Sequence, residues 1–108
     1  MKHKTKITVV NQLMQLVKDS PTMKRSKSSS YDYKNSIITK EEFENWMQYV
    51  CAVLEILTPY IPENYYIETI SKIKYIKQKE LNSNIATQYA SKCVDISEEL
   101  LFLANNLL

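Results

Sequence analysis

The side chains able to do chemistry fall into three groups: a lone imidazole at His3, thiols at Cys51 and Cys93, and two short acidic clusters, Glu41, Glu42, Glu44 and Asp95, Glu98, Glu99. One His and two distant Cys are too few ligands for a structural or catalytic zinc, and they leave no Cys-His or Ser-His-Asp set. Both Cys lie at apolar helical positions, which reads as two reduced core thiols of a cytoplasmic protein. Paired carboxylates do general acid–base work only where burial drives their pKa values apart. Glu41, Glu42 and Glu44 instead open a helix, where capping and the amide dipoles favour carboxylates, and the second cluster lies on the polar side of another helix. The sequence also has no glycine, and so lacks the loops that close a backbone around phosphate. The expectation is therefore no enzyme: no catalytic residues, no metal and no cofactor.

The cations are the remaining candidates. Residues 1–30 carry seven Lys or Arg against Asp19 alone, whereas 31–108 carry seven Lys against eleven acids. Lys24, Arg25 and Lys27 sit in the basic part, and Lys72, Lys74, Lys77 and Lys79 give a later helix a basic end. At about 100° per residue Lys72 and Lys79 share a side while Lys74 and Lys77 lie elsewhere, so the four do not form one groove-facing stripe. Lys24, Arg25, Lys27, Lys72 and Lys79 remain a candidate anion-binding set, with Tyr31 and Tyr33 as stacking surfaces for nucleic acid. Eight tyrosines, among them Tyr65 and Tyr66 at a turn, suit either an interface or a core edge.

The elements that must position these groups are helices. Ile7, Val10, Leu13, Met14 and Val17 recur at helical spacing until Ser20-Pro21, predicting a helix at about 6–18. The polar, serine-rich stretch 19–36 reads as a long mobile basic loop. Thr39-Lys40-Glu41-Glu42 has the form of a capping box, with Ile38 placed as its staple. Phe43, Trp46, Met47, Val50, Leu54 and Leu57 follow on one face, giving a second helix at 40–57. Pro62 suits a first helical position, and Tyr66, Ile70, Ile73 and Ile76 mark a third helix at 63–79. Ile85, Tyr89, Cys93, Ile96, Leu100, Leu103 and Leu107 mark a last one at 83–107. One all-α, four-helix bundle-like domain over 1–108 is expected, with a core of Leu13, Val17, Phe43, Trp46, Met47, Val50, Leu54, Ile70, Ile73, Tyr89, Ile96, Leu100 and Leu103. No apolar run approaches the roughly 20 residues of a membrane span.

The last helix would reach roughly 35 Å against roughly 25 Å for the two before it. A second apolar row, Ala86, Ala90, Val94, Leu101, Ala104 and Leu108, widens its greasy arc. Its end is therefore either the twice-covered centre of the bundle or a docking surface. The docking reading names Leu101, Ala104, Leu107 and Leu108, with Tyr65 and Tyr66, as the contact with a protein partner or a second copy, a dimer being favoured.

The stretch from Lys24 through Ser26, Ser28, Ser29, Ser30 and Tyr33, then Phe43-Glu44-Asn45-Trp46, Leu54 and Tyr65-Tyr66, resembles a small helical module. That module stands at the N-terminus of bacterial abortive-infection and related antiphage proteins, where a serine-rich loop precedes a Phe-x-x-Trp helix. The resemblance spans most of residues 13–107 and implies a regulatory, oligomerising or sensing role with no catalytic residues to carry over. In that family a further effector domain follows the module. Its absence here implies a free-standing adaptor, an antitoxin-like partner, a phage-encoded inhibitor or half of a two-gene system. The leading expectation is a non-enzymatic interaction module in a bacterial or bacteriophage defence or anti-defence setting; the alternative is a small nucleic-acid-binding protein.

Overall fold

The computed structural model describes residues 3–26, 37–80 and 85–108. All the regular structure among them is helical: α1 (His3–Lys18), α2 (Pro21–Ser26), α3 (Lys40–Leu57), a short 3-10 turn (Thr58–Tyr60), α4 (Glu63–Gln78) and α5 (Ile85–Leu107). The all-α expectation holds, and the four-helix count does not. Part of the stretch read as a loop is α2, so Ser20-Pro21 is a corner as well as a stop. Proline bars helix continuation in the residue before it but is preorganised for the first turn of the next helix. Ser20 and Thr22 are buried at this corner, with their hydroxyl oxygens 2.8 Å apart. The rest of the proposed loop, 27–36, lies outside the described residues.

Each helix forms for a local reason and is then fixed by packing. At α3 the Thr39 hydroxyl accepts from the Glu42 amide at 3.1 Å, and the Thr39 amide donates to the Glu42 carboxylate at 3.4 Å. The capping box thus satisfies two end groups that would otherwise need water. Ile38 and Phe43 are both in the core, as a staple requires. Pro62 is the N-cap of α4 rather than its first helical residue, and its carbonyl accepts from the Tyr66 amide at 3.0 Å.

The long last helix is the centre of the molecule: α1, α2, α3 and α4 all pack on α5. Leu100, Ile96, Cys93 and Ala90 are fully enclosed there, with Leu13, Leu16, Val50 and Leu54 from the surrounding helices. Ile70 and Tyr89, expected in the core, are half-buried against it, and the Tyr89 ring lies 5.3 Å from that of Phe43.

Two tertiary hydrogen bonds close helix ends. The Ser20 amide turns back to the Val17 carbonyl instead of that of Leu16, its partner in a continued α-helix. The freed Leu16 carbonyl accepts from the buried Trp46 indole N–H at 3.0 Å. At the other corner the Lys92 ammonium, on a side chain only 6% exposed, donates to the Lys77 carbonyl in the last turn of α4 at 2.7 Å. A cation at a helix C-terminus also suits the helix dipole. Burial pulls the Lys92 pKa below its ordinary 10.5, with Glu80 opposing.

Candidate interaction surface

The structure separates the docking residues expected at the end of α5. Ala104 and Leu107 are buried in the chain's own core, Leu107 at 5% exposure, and Leu101 is half-buried against it. Tyr65 and Tyr66 are likewise half-buried on the core. Of the six, Leu108 alone stands in solvent, at 73% exposure. Two of the six are thereby corrected: Ala104 and Leu107 face inward in this fold, whereas Leu108, and Phe102 at 53% exposure, leave apolar area at the end of α5 in solvent. The reason is partly α2, since Thr22 and Met23 line a cavity of about 180 Å³ together with Val94 and Leu101. A helix inside the supposed loop thus helps cover the second apolar row.

Of the candidate anion-binding cations, Lys72 is already paired with carboxylates. The Lys72 ammonium lies 3.1 Å from a Glu68 carboxylate oxygen and 3.9 Å from one of Glu99, over the Phe102 ring at 5.3 Å. The Glu68 hydrogen bond first, and then the Glu99 charge, raise its pKa above 10.5. The Lys72 side chain is 45% exposed, so the two carboxylates offset the charge that an incoming phosphate would meet without closing off the ammonium. Lys79 stands 6.0 Å from the Tyr75 ring centre. Lys24 and Arg25 belong to α2, and their side chains, like Lys27, Tyr31 and Tyr33, lie outside the described residues.

Three of the six clustered acids are taken up locally. Glu42 is in the capping box, Glu44 faces Lys40 at 3.9 Å and Glu99 faces Lys72. The expectation of two core thiols also needs correcting. Cys93 is buried, and burial pushes its pKa up to about 12, a Ser20 hydrogen bond acting in the opposite direction. Cys51 is exposed, because it lies just beyond the edge of the α3 core face defined by Met47, Val50 and Leu54.

A surface that sequence reading did not single out lies between α1 and the end of α3. Thr5, Thr8, Val9 and Gln12 form one wall, and Ile56, Leu57 and Tyr60 form the other, enclosing a groove of about 510 Å³. Thr5, Thr8 and Gln12 recur at helical spacing on one side of α1. The turn Thr58–Tyr60 carries Tyr60 round to the same opening, held by the Ile61 amide bonding to the Thr58 carbonyl at 3.3 Å. Leu57 and Val9 form the buried floor, while Ile56 is 67% exposed and Tyr60 48%. Along α3 the row continues outward through Ala52, Tyr49 and Asn45, all exposed, at steps of four, three and four from Ile56. No charged residue lies between Ile7 and Val17, and none is on the groove walls, in a chain that is 24% Asp, Glu, Lys and Arg. The signal was present in the sequence as the apolar residues left off the α3 core stripe and as the uncharged run of α1.

Against protein-family models, curated proteins and solved structures, the chain has no match in any of the three comparisons. Among the described residues, no helix is long and apolar enough to cross a membrane.

Proposed function

We propose that the chain is a non-enzymatic protein–protein interaction module that binds through the groove between α1 and the end of α3. One observation carries the reading: an exposed isoleucine and tyrosine rim an apolar-floored groove whose walls bear no charge. Single exposed apolar side chains are ordinary, but an uncharged patch built round a concave floor has the composition of an interface core, where charged residues are depleted and tyrosine is enriched. The site moves from the end of α5, where the sequence pattern suggested it, to a face on the other side of the core stripe of α3. A defence or anti-defence setting, in a bacterium or its bacteriophage, rests on the resemblance of the Lys24 to Tyr66 pattern. The nucleic-acid alternative is weakened by the two carboxylates that already hold Lys72.

The test is site-specific photo-cross-linking in the producing cells, with p-benzoylphenylalanine at position 56 and, as a control, at exposed position 95 on α5. Discrete adducts at position 56 that are missing at 95 support the reading. Equal adduct patterns at the two positions, or none at either, refute it.

A further inference from the structure

We propose that the cavity between α2 and the middle of α5 is a binding site for a small neutral phenol or alcohol, whose single hydroxyl pairs with Ser97 Oγ. Val17, Met23, Val94 and Leu101 form its apolar wall, and it encloses about 180 Å³. It shares no residue with the groove between α1 and α3, so the two readings stand or fall separately.

The first ground is a buried hydroxyl without a partner. Ser97 is 7% exposed, and its Oγ is the only buried side-chain oxygen or nitrogen among the described residues that makes no hydrogen bond. A helical serine commonly returns its hydroxyl to the carbonyl four residues back, here that of Cys93, and Ser97 does not. The other hydroxyl on the lining is already engaged, since Thr22 pairs with Ser20 at 2.8 Å. Proteins rarely leave a buried hydroxyl unpaired, because the hydration it loses on folding is not replaced. Ser97 lines the cavity, so a molecule seated there can supply the missing partner. The second ground is the match of size and lining to one kind of occupant. Apolar cavities of about 150 Å³ take up benzene, so this one has room for a single ring and a substituent. A lone water needs two to four polar partners. The walls offer it only Ser97, the paired Thr22 and the carboxylate of Glu98, which stands at the exposed edge, among four apolar side chains. The Glu98 charge also disfavours an anion. These residues together select an occupant that is neutral, mostly apolar and equipped with one hydrogen-bonding group.

The experiment is an NMR titration of the full chain, carrying carbon-13 at its Met, Val and Leu methyls, with phenol, benzene and benzoate as probes. Phenol is expected to give saturable shifts at the methyls of Val17, Met23, Val94 and Leu101 and none at Val9 or Leu57 in the groove. Benzoate should give none. In Ser97→Ala benzene should still bind, while the ratio of phenol affinity to benzene affinity falls at least about threefold, the worth of one net hydrogen bond. The free variant should melt no lower than the wild-type chain, because the hydroxyl removed has no partner to lose. A cavity that holds water only gives no saturable shift with phenol up to its solubility, and that result overturns the site. Shifts spread over the groove as well, or a phenol-to-benzene ratio indifferent to Ser97→Ala, overturn it too. A lower melting temperature for free Ser97→Ala shows that the hydroxyl is bonded within the chain and removes the reason for the proposal.

Discussion

Trp46 offers the sharpest test of how the α1 corner is held. Its indole N–H donates to the Leu16 carbonyl at 3.0 Å in a buried setting, and that carbonyl has lost its helical partner to the turn at Ser20. Replacing Trp46 with 3-benzothienylalanine keeps the ring's shape and removes the N–H alone. The carbonyl is then buried with no donor, which costs about 1–3 kcal/mol. Trp46→Phe removes the donor and part of the ring together. The added loss of packed volume should bring its cost to about 2–4 kcal/mol, below the 3–5 of a full truncation to alanine. In urea, with a slope of about 1–1.5 kcal/mol/M for a chain of this size, the isosteric variant should unfold about 0.7–3 M earlier, and Trp46→Phe earlier still. If the benzothienyl protein unfolds at the wild-type urea concentration, the Leu16 carbonyl has another partner and the account of the α1 corner is wrong.

The two thiols should separate cleanly: in the native protein at pH 8, Ellman's reagent should titrate Cys51 promptly and reach Cys93 only after unfolding, and rapid reaction of both would contradict the burial of Cys93. Because the Cys93 pKa is raised from 9.0 to about 12 on folding, the unfolded chain loses that proton first as pH rises, so folding stability falls through this window. Relative to Cys93→Ala the fall should approach about 1.4 kcal/mol per pH unit above pH 9, and parallel pH profiles of the two proteins in urea melts would refute it. At the end of α5, Leu107→Ala should destabilise by about 2 kcal/mol, the low end for a buried leucine. Leu108→Ala should stay within about 0.5 kcal/mol, as surface changes do. Equal thermal shifts for the two would mean that the inward face of the final turn is misassigned.

What could be read from the sequence depended on whether several local signals agreed. For α3 a capping box, an unbroken core stripe and a Thr-Pro stop all point to the same limits, Lys40–Leu57, and the six residues chosen for its core face are the six that are buried. The second helix was missed because its only clear local marker, Ser20-Pro21, was already spent as the end of α1. Among its described side chains the inward ones are Thr22 and Met23, too little for a periodic pattern. Lys92 was equally hidden. A lysine at the rim of an apolar arc reads as solvated until α4 is seen to end beside it, and only then does the ammonium have a carbonyl to meet.

The burial of Ala104 and Leu107, expected at the surface, has the same root. Hydropathy counts apolar side chains along one helix, but exposure is set by how many neighbours that helix acquires. Alpha5 is the greasiest helix by pattern and has the most neighbours, so its second row is largely absorbed, down to Leu107. Alpha3 has a narrower stripe, and the apolar residues outside it, Tyr49, Ala52 and Ile56, are left exposed by the described residues. Where a bundle has one central helix, the surplus apolar surface falls on the outer helices, on the side turned away from the centre. The uncharged walls of the groove between α1 and α3 fit that geometry, which is why the proposed function rests on a peripheral face and not on the end of the most hydrophobic segment.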